Sequence, residues 1–261
     1  MNGELHQMLL ITALGNGYLI HANDAVSKEL EQTDTMIVRF QSGDQLLIWS
    51  EWLEQLRAEQ YQRFMLVHIT EEDASTASWQ NSGFMGGGAR HGIAALATAG
   101  HTIWIPEWKI DRHPTRSRWQ VTYRPYPYSG SQQAGHAFVP LAEMTSQLRK
   151  ALEQVATLAE EIGEAFWKTN FFDPALQLLD GDKTKTAKYA FELPPVYSEE
   201  AWRLLNAVYK SWVFGGMGSW NDSTPGMAYE HGKGAEYERY SAELYEALLQ
   251  SARTAVNSVV F

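Results

Sequence analysis

The chain has 261 residues, of which 44% are hydrophobic and 20% are charged, and it contains no cysteine. These proportions are typical of a globular protein that buries a core. The absence of cysteine excludes disulfides, thiolate nucleophiles, iron–sulfur clusters and cysteine-ligated zinc. Aromatic residues are abundant, with 10 Trp, 12 Tyr and 10 Phe.

The net charge of −10 is unevenly distributed along the chain. Residues 1–80 carry 12 acidic and 4 basic side chains, whereas residues 81–135 carry 2 acidic and 6 basic ones. Because phosphate repels an acidic protein, we expect no nucleic-acid partner, and a basic protein is better matched. Plain solubility is the simpler interpretation of the acidity.

The N-terminus lacks the basic start of a secretory signal, since Glu4 and His6 stand where Lys or Arg is expected. No stretch approaches the roughly 20 apolar residues that a membrane helix needs. We therefore expect a cytoplasmic protein with no membrane partner.

Two pairs of apolar runs near the N-terminus predict β-hairpins. Residues 8–13 and 17–21 flank Gly15-Asn16-Gly17, and Asn-Gly between apolar runs is a strong hairpin signal. Residues 35–40 and 45–49 form the second pair.

The following segments predict a helix, a strand and a further helix. Ser50 is a suitable N-cap for a helix over 51–62, and residues 63–70 are apolar as in a strand. Small residues over 89–99, followed by Gly100 as a stop signal, predict the second helix.

Residues 101–110 and 117–126 predict another hairpin, with Pro106 marking an edge or a bulge. Aromatic residues alternate onto one face and basic residues onto the other. Such a mixture can bind nucleic acid, but an aromatic core face with a basic outer face is the preferred interpretation.

Helical periodicity dominates the chain after Pro140. An apolar stripe runs from Leu141 to Phe166, and two more helices are predicted over 198–213 and 235–259. Strands followed by helices predict an α+β fold, with an antiparallel sheet in the N-terminal half and a helical C-terminal half packed on it. We divide the chain into residues 1–138 and 139–261, which are either two parts or one continuous domain.

Two glycine-rich loops are candidate ligand-binding sites. The first, residues 84–91, is expected to open a helix, where backbone N–H groups with Arg90 and His91 would hold an anion. It lacks the Gly-Lys-Ser/Thr ending of a phosphate-binding loop. A flexible loop before a packing helix is the simpler interpretation.

The second loop, residues 214–222, combines three glycines with Ser219, Trp220, Asn221 and Asp222. A stacking ring and polar groups on a loop are typical of a binding site, although Ser219 lacks the context of a nucleophile. The simpler interpretation is a turn with Trp220 in the core and Asn221 or Asp222 capping the next segment.

The eight histidines form no metal-binding motif, so we expect neither a metal nor a cofactor. Two functional hypotheses remain open. The first is a non-enzymatic binding module of immunity or antitoxin type, which uses an acidic, aromatic-bearing surface. The second is a hydrolase or transferase that acts on a small anionic substrate at loops 84–91 and 214–222. No catalytic residue and no oligomeric state is assigned.

Overall fold

The computed structural model describes residues 1, 3–21, 30, 36–69, 79–82, 90–113, 116–126, 139–187, 190 and 192–259, without the side chains of residues 81, 113 and 116. Residues 84–89 of the first candidate loop lie outside this description.

Six strands form one sheet in the order β2-β1-β6-β5-β4-β3. The pairing of β1 with β6 is parallel and the other four pairings are antiparallel. The strands are β1 (Met36–Ser42), β2 (Gln45–Leu47), β3 (Tyr61–His68), β4 (His91–Ala97), β5 (Gly100–His113) and β6 (Arg116–Tyr126).

Helices precede, interrupt and follow the sheet. A π-helical turn at Lys168–Phe172 joins α4 to α5, and single 3-10 turns lie at Trp79–Asn81 and Lys183–Lys185. The α-helices are α1 (Gly3–Ile20), α2 (Trp49–Ala58), α3 (Leu141–Glu161), α4 (Ala165–Trp167), α5 (Asp173–Leu179), α6 (Glu199–Ser211), α7 (Trp220–Glu230) and α8 (Gly234–Asn257). The predicted α+β class, with the sheet in the first half and helices in the second, is confirmed.

Most of the predicted elements are present. The hairpin at 35–49 is β1–β2, the hairpin at 101–126 is β5–β6, and the long helices of the second half are α3, α6 and α8. Ser198 caps α6 as expected, because its side chain accepts a hydrogen bond from the N–H of Ala201 at 3.2 Å. The helix after β2 begins at Trp49, with Ile48 rather than Ser50 at the cap position.

The predicted hairpin at 8–21 is wrong, since residues 8–20 lie in α1. Gly15 faces β3 so closely that an added Cβ would lie 2.3 Å from the Phe64 ring. Asn16 hydrogen-bonds the N–H of Phe64 at 2.7 Å and its carbonyl at 3.1 Å. The glycine and the asparagine therefore serve helix–sheet packing and not a turn.

The predicted helix at 89–99 is also wrong, because residues 91–97 form β4. This strand lies between β3 and β5, and both of its faces are buried. Ile93 and Ala95 belong to the main core, and Ala94 belongs to the cluster on the opposite face of the sheet. A strand that is covered on both faces need not alternate in polarity. The sequence therefore lacked the alternation that identifies a strand, and its small residues were interpreted as a helix.

The stripe predicted up to Phe166 ends earlier, because α3 stops at Glu161. Gly163 has a φ of +76°, and its N–H donates to the carbonyl of Glu160 at 3.2 Å while that of Glu164 donates to Ala159 at 2.7 Å. This is the Schellman arrangement of a glycine-terminated helix. The chain turns there, and Phe166 leaves the apolar stripe.

The main hydrophobic core continues from the sheet into the helices. It includes side chains from α1, α2, the sheet and the C-terminal helices, for example Leu9, Phe64 and Leu248. Near the sheet its centre is aromatic, with the Trp52 ring stacked on Phe40 at a centroid distance of 4.1 Å. Many of the aromatic side chains thus lie in the core. The division of the chain at residue 138 stays a prediction.

Candidate functional site

The second glycine-rich loop is held by side chains at the start of α7. Asn221 accepts hydrogen bonds from the N–H of Gly215 at 2.9 Å and from the Ser219 hydroxyl at 2.8 Å, and its amide donates to the Gly215 carbonyl at 3.0 Å. Asp222 accepts from the N–H of Gly218 at 2.7 Å. The polar groups predicted for a ligand are thus engaged in fixing the loop.

Trp220 lies in the core and presents no exposed ring face, since its relative exposure is 0%. Its indole N–H donates to the Ser241 hydroxyl at 2.8 Å, and its carbonyl accepts from the Tyr237 hydroxyl at 2.9 Å. Burial raises the pKa of Tyr237. This tryptophan anchors α7 on α8.

Arg90 and His91 lie at the start of β4. His91 is buried, and its ring centroid is 5.6 Å from that of His68 on the neighbouring strand. Burial lowers the pKa of His68, as does the nearby charge of Arg253 on α8. Arg90 is exposed. Burial raises the pKa of Glu4 on α1, and the positive charge of Arg90 offsets part of this rise.

Of the first predicted loop, the structure describes Arg90 and His91. The charge of Arg90 acts on Glu4 of α1 and His91 lies next to His68, whereas Asn221 reaches the Gln80 carbonyl at 3.3 Å and Trp220 contacts the N-terminal half of α8. Because β4 is a strand, no helix N-terminus follows residues 84–91. Ligand binding by the six predicted residues stays a prediction.

Apolar side chains are exposed at the end of the helical half. Of the large hydrophobic residues in the described ranges, five are exposed, and three of these lie here: Phe166 at 59%, Met217 at 98% and Tyr229 at 67%. Phe166 belongs to α4, Met217 to the glycine-rich loop and Tyr229 to the last turn of α7. We call these three side chains and the segments around them, residues 160–173 and 214–239, the helical-end surface.

Ring contacts and hydrogen bonds hold these segments together. The rings of Phe166 and Trp167 are 5.3 Å apart, and Trp167 meets Trp220 edge-on at 5.9 Å. The Tyr229 ring covers Gly234 so closely that an added Cβ would lie 2.8 Å from it. The exposed side chains therefore project from a packed scaffold.

The helical-end surface is strongly acidic. Its two segments contain eight acidic and three basic residues, a net charge of −5, which is half of the net charge of the chain. Two of the basic groups are paired within the surface, Lys168 with Glu160 at 2.5 Å and Lys233 with Glu161 at 2.9 Å. Hydrogen bonds to these carboxylates raise the pKa of both lysines. The remaining carboxylates give the surface its negative field.

Comparison with protein-family models, with curated proteins and with solved structures finds no match to this chain.

Two classes of feature are absent from the part of the chain that the structure describes. No group of three or more His, Asp or Glu side chains there could hold a metal ion. No helix within the same residues is long and apolar enough to cross a membrane.

Sequence reasoning did not single out the exposed side chains of this surface. Phe166 continues the apolar spacing of α3, which assigns it to the core. Tyr229 lies in α7, a helix that was not predicted and that contains two poor helix formers, Pro225 and Gly226. Met217 lies in the predicted loop 214–222, and an apolar side chain between two glycines was the one available signal.

Proposed function

We propose that this protein is a non-enzymatic, cytoplasmic binding protein of immunity or antitoxin type, and that its helical-end surface binds a basic protein. The observation that carries the proposal is the exposure of Phe166, Met217 and Tyr229 on two segments whose net charge is −5. Exposed aromatic residues and Met are enriched at the centres of protein interfaces.

The rigidity of the loop supports this function. Met217 is 98% exposed, yet the loop that carries it is closed by the Ser219 N–H, which donates to the Gly216 carbonyl at 3.1 Å, and by the Asn221 and Asp222 side chains. Because the backbone of this loop is already ordered, it loses little conformational entropy when a partner covers it.

The charge of the surface supports a basic partner. A net negative charge on the segments that carry the apolar side chains attracts a positively charged protein, speeds its association and repels acidic competitors. The same field opposes nucleic-acid binding, because phosphate is repelled.

The proposal is tested by affinity capture with matched variants. The bait is the whole protein, either unchanged, with the double substitution Met217→Ser and Tyr229→Ser, or with Leu46→Ser. Leu46 is 51% exposed on β2, so Leu46→Ser removes a comparable apolar side chain from a different surface.

We expect the unchanged protein and the Leu46→Ser variant to retain the same basic protein from a native lysate at low salt. The double variant should lose it, and rising salt should release it from all baits. Equal capture by the double variant, or a captured protein that is acidic, would contradict the proposal.

A further inference from the structure

The β5–β6 hairpin extends beyond the described parts of its two neighbouring strands, β1 and β4. β4 pairs with β5 only from Gly100 to Trp104, whereas β6 pairs with β5 as far as His113. Within the described residues, the other edge of β5 has no partner strand beyond Trp104. This edge is separate from the helical-end surface, so a role for it is independent of the proposed function.

Pro106 shows which backbone groups point to this edge. It lies opposite Tyr123 in the antiparallel ladder, and it has no N–H to donate to β6. Pro106 must therefore occupy a non-hydrogen-bonded pair, in which the backbone groups point away from the partner strand. Because the pattern repeats every two residues, the N–H and C=O groups of Trp108, Ile110 and Arg112 also point to the free edge.

The side chains along this edge are self-complementary. Lys109 and Asp111 project from one face of the strand, and Trp108, Ile110 and Arg112 project from the other. Lys109, Ile110, Asp111 and Arg112 are exposed, with Ile110 at 47%. An antiparallel copy centred on Ile110 would place each Lys109 opposite an Asp111.

We propose that a second copy of this chain adds to the β5 edge by antiparallel pairing centred on Ile110. Trp108, Ile110 and Arg112 of each copy would form hydrogen-bonded pairs across the two-fold axis, with about six main-chain hydrogen bonds. Pro106 limits the ladder on its N-terminal side.

Side chains on both faces would strengthen the pairing. Lys109 faces Asp111 of the other copy in a non-hydrogen-bonded pair, the kind that brings side chains closest. Lys109 already lies 2.8 Å from Glu107 of its own strand, so it would lie between two carboxylates. On the other face the two Ile110 side chains meet, and Trp108 lies opposite Arg112, a cation–π pair.

The charge pattern selects a second copy over an unrelated strand. A partner strand must place an acidic residue opposite Lys109 and a basic residue opposite Asp111. This chain itself supplies both at the required spacing, and a two-fold axis satisfies both pairs at once.

Charge reversal tests the register. The unchanged protein and the variants Lys109→Asp, Asp111→Lys and Lys109→Asp/Asp111→Lys are compared by sedimentation velocity at low salt, up to about 0.2 mM protein. Lys150→Asp, an exposed site on α3, is the charge-matched control. Far-UV circular dichroism and the unfolding midpoint of each variant check that it folds.

We expect a dimer for the unchanged protein and for Lys150→Asp. Each single variant at position 109 or 111 should weaken association about tenfold or more, because the axis creates the like-charge contact twice. The double variant should restore it. A monomer throughout for the unchanged protein, dimerisation of the single variants as strong as that of the unchanged protein, or a monomeric double variant would each overturn the proposal.

Discussion

At the scale of single residues, two asparagines complete the outer edge of the sheet. Among the described residues, β3 is the last strand on its side, so alternate backbone groups have no neighbouring strand there. Asn16 of α1 pairs with both backbone groups of Phe64, and Asn257 of α8 pairs with both groups of Leu66, at 2.8 and 3.0 Å. A side-chain amide has the donor and acceptor of a peptide group, so these residues substitute for a seventh strand and protect the edge from aggregation.

Replacing Asn16 by Leu is expected to lower the free energy of unfolding by about 2–4 kcal/mol. The substitution keeps the volume but leaves the buried N–H and C=O of Phe64 without a partner, and the amide's hydrogen bond with the Tyr197 hydroxyl, at 3.0 Å, is lost as well. Urea unfolding measures the change.

Asn206→Leu is the matched control for this prediction. Asn206 is also buried, but its amide donates only to Trp202 in its own helix, and its carbonyl oxygen has no partner. This substitution should cost less than about 1 kcal/mol. Equal losses at the two positions would show that the β3 edge is not special.

The role of Asn16 could not be predicted from the sequence. Asn-Gly indicates a turn because both residues tolerate a positive φ. The deciding contact is with Phe64, 48 residues further along the chain, and a local pattern carries no information about it. The Ser198 cap was predictable, because its partner lies only three residues away.

At the scale of elements, the contact between α1 and β3 depends on a missing side chain. Gly15 lies in the middle of α1, where glycine is a poor helix former. The Phe64 ring occupies the place of its Cβ, and Trp49 lies 3.4 Å from the same point. The cost in helix propensity is offset by the close approach of the helix to the sheet.

Gly15→Ala is expected to destabilise the protein by about 1–3 kcal/mol, although alanine is the better helix former. The new methyl group must displace the Phe64 ring or the helix. Gly3→Ala in the first turn of the same helix meets no atom within 4 Å, and we expect it to be neutral or stabilising. Thermal unfolding of the two variants gives the comparison, and a stabilising Gly15→Ala would contradict this packing.

The loop before α7 gives a second prediction at this scale. Asn221→Ala removes the side chain that holds Gly215 by its N–H and carbonyl, so the loop should open more readily. We expect the amide of Gly215 to exchange with solvent at least about tenfold faster, which hydrogen exchange detected by mass spectrometry or NMR measures.

Ser223→Ala serves as the control for the loop. The Ser223 hydroxyl donates to the Ser219 carbonyl at 3.0 Å from an exposed position, and this carbonyl also accepts from the backbone N–H of Ser223. Its removal should leave exchange at Gly215 nearly unchanged. Unchanged exchange in Asn221→Ala would mean that the loop is ordered by other contacts.

Elements with regular periodicity were predictable, and those shaped by long-range packing were not. The apolar stripes of α3, α6 and α8 are visible directly in the sequence, and the alternation along β6 is visible as well. β4 was predicted as a helix because its residues are small and do not alternate in polarity. In the structure these small residues fit between β3 and β5, with packed side chains on both faces of the strand.

At the scale of the whole molecule, the two proposals concern two different regions. The helical-end surface holds half of the net negative charge and three exposed apolar side chains. The β5–β6 hairpin carries basic residues and a β5 edge that has no partner strand among the described residues. Pairing at the hairpin would leave the helical-end surface open, so a dimer could hold two copies of a basic partner.

The most direct test of the central claim is photo-crosslinking from Met217. A photoreactive amino acid replaces Met217 in the whole protein, and a second sample carries it at Leu46. We expect the probe at 217 to give one principal adduct with a basic protein, which weakens as salt rises, and the probe at 46 to give none with that protein. Absence of an adduct from position 217, or the same adduct from both positions, would contradict a binding role for the helical-end surface.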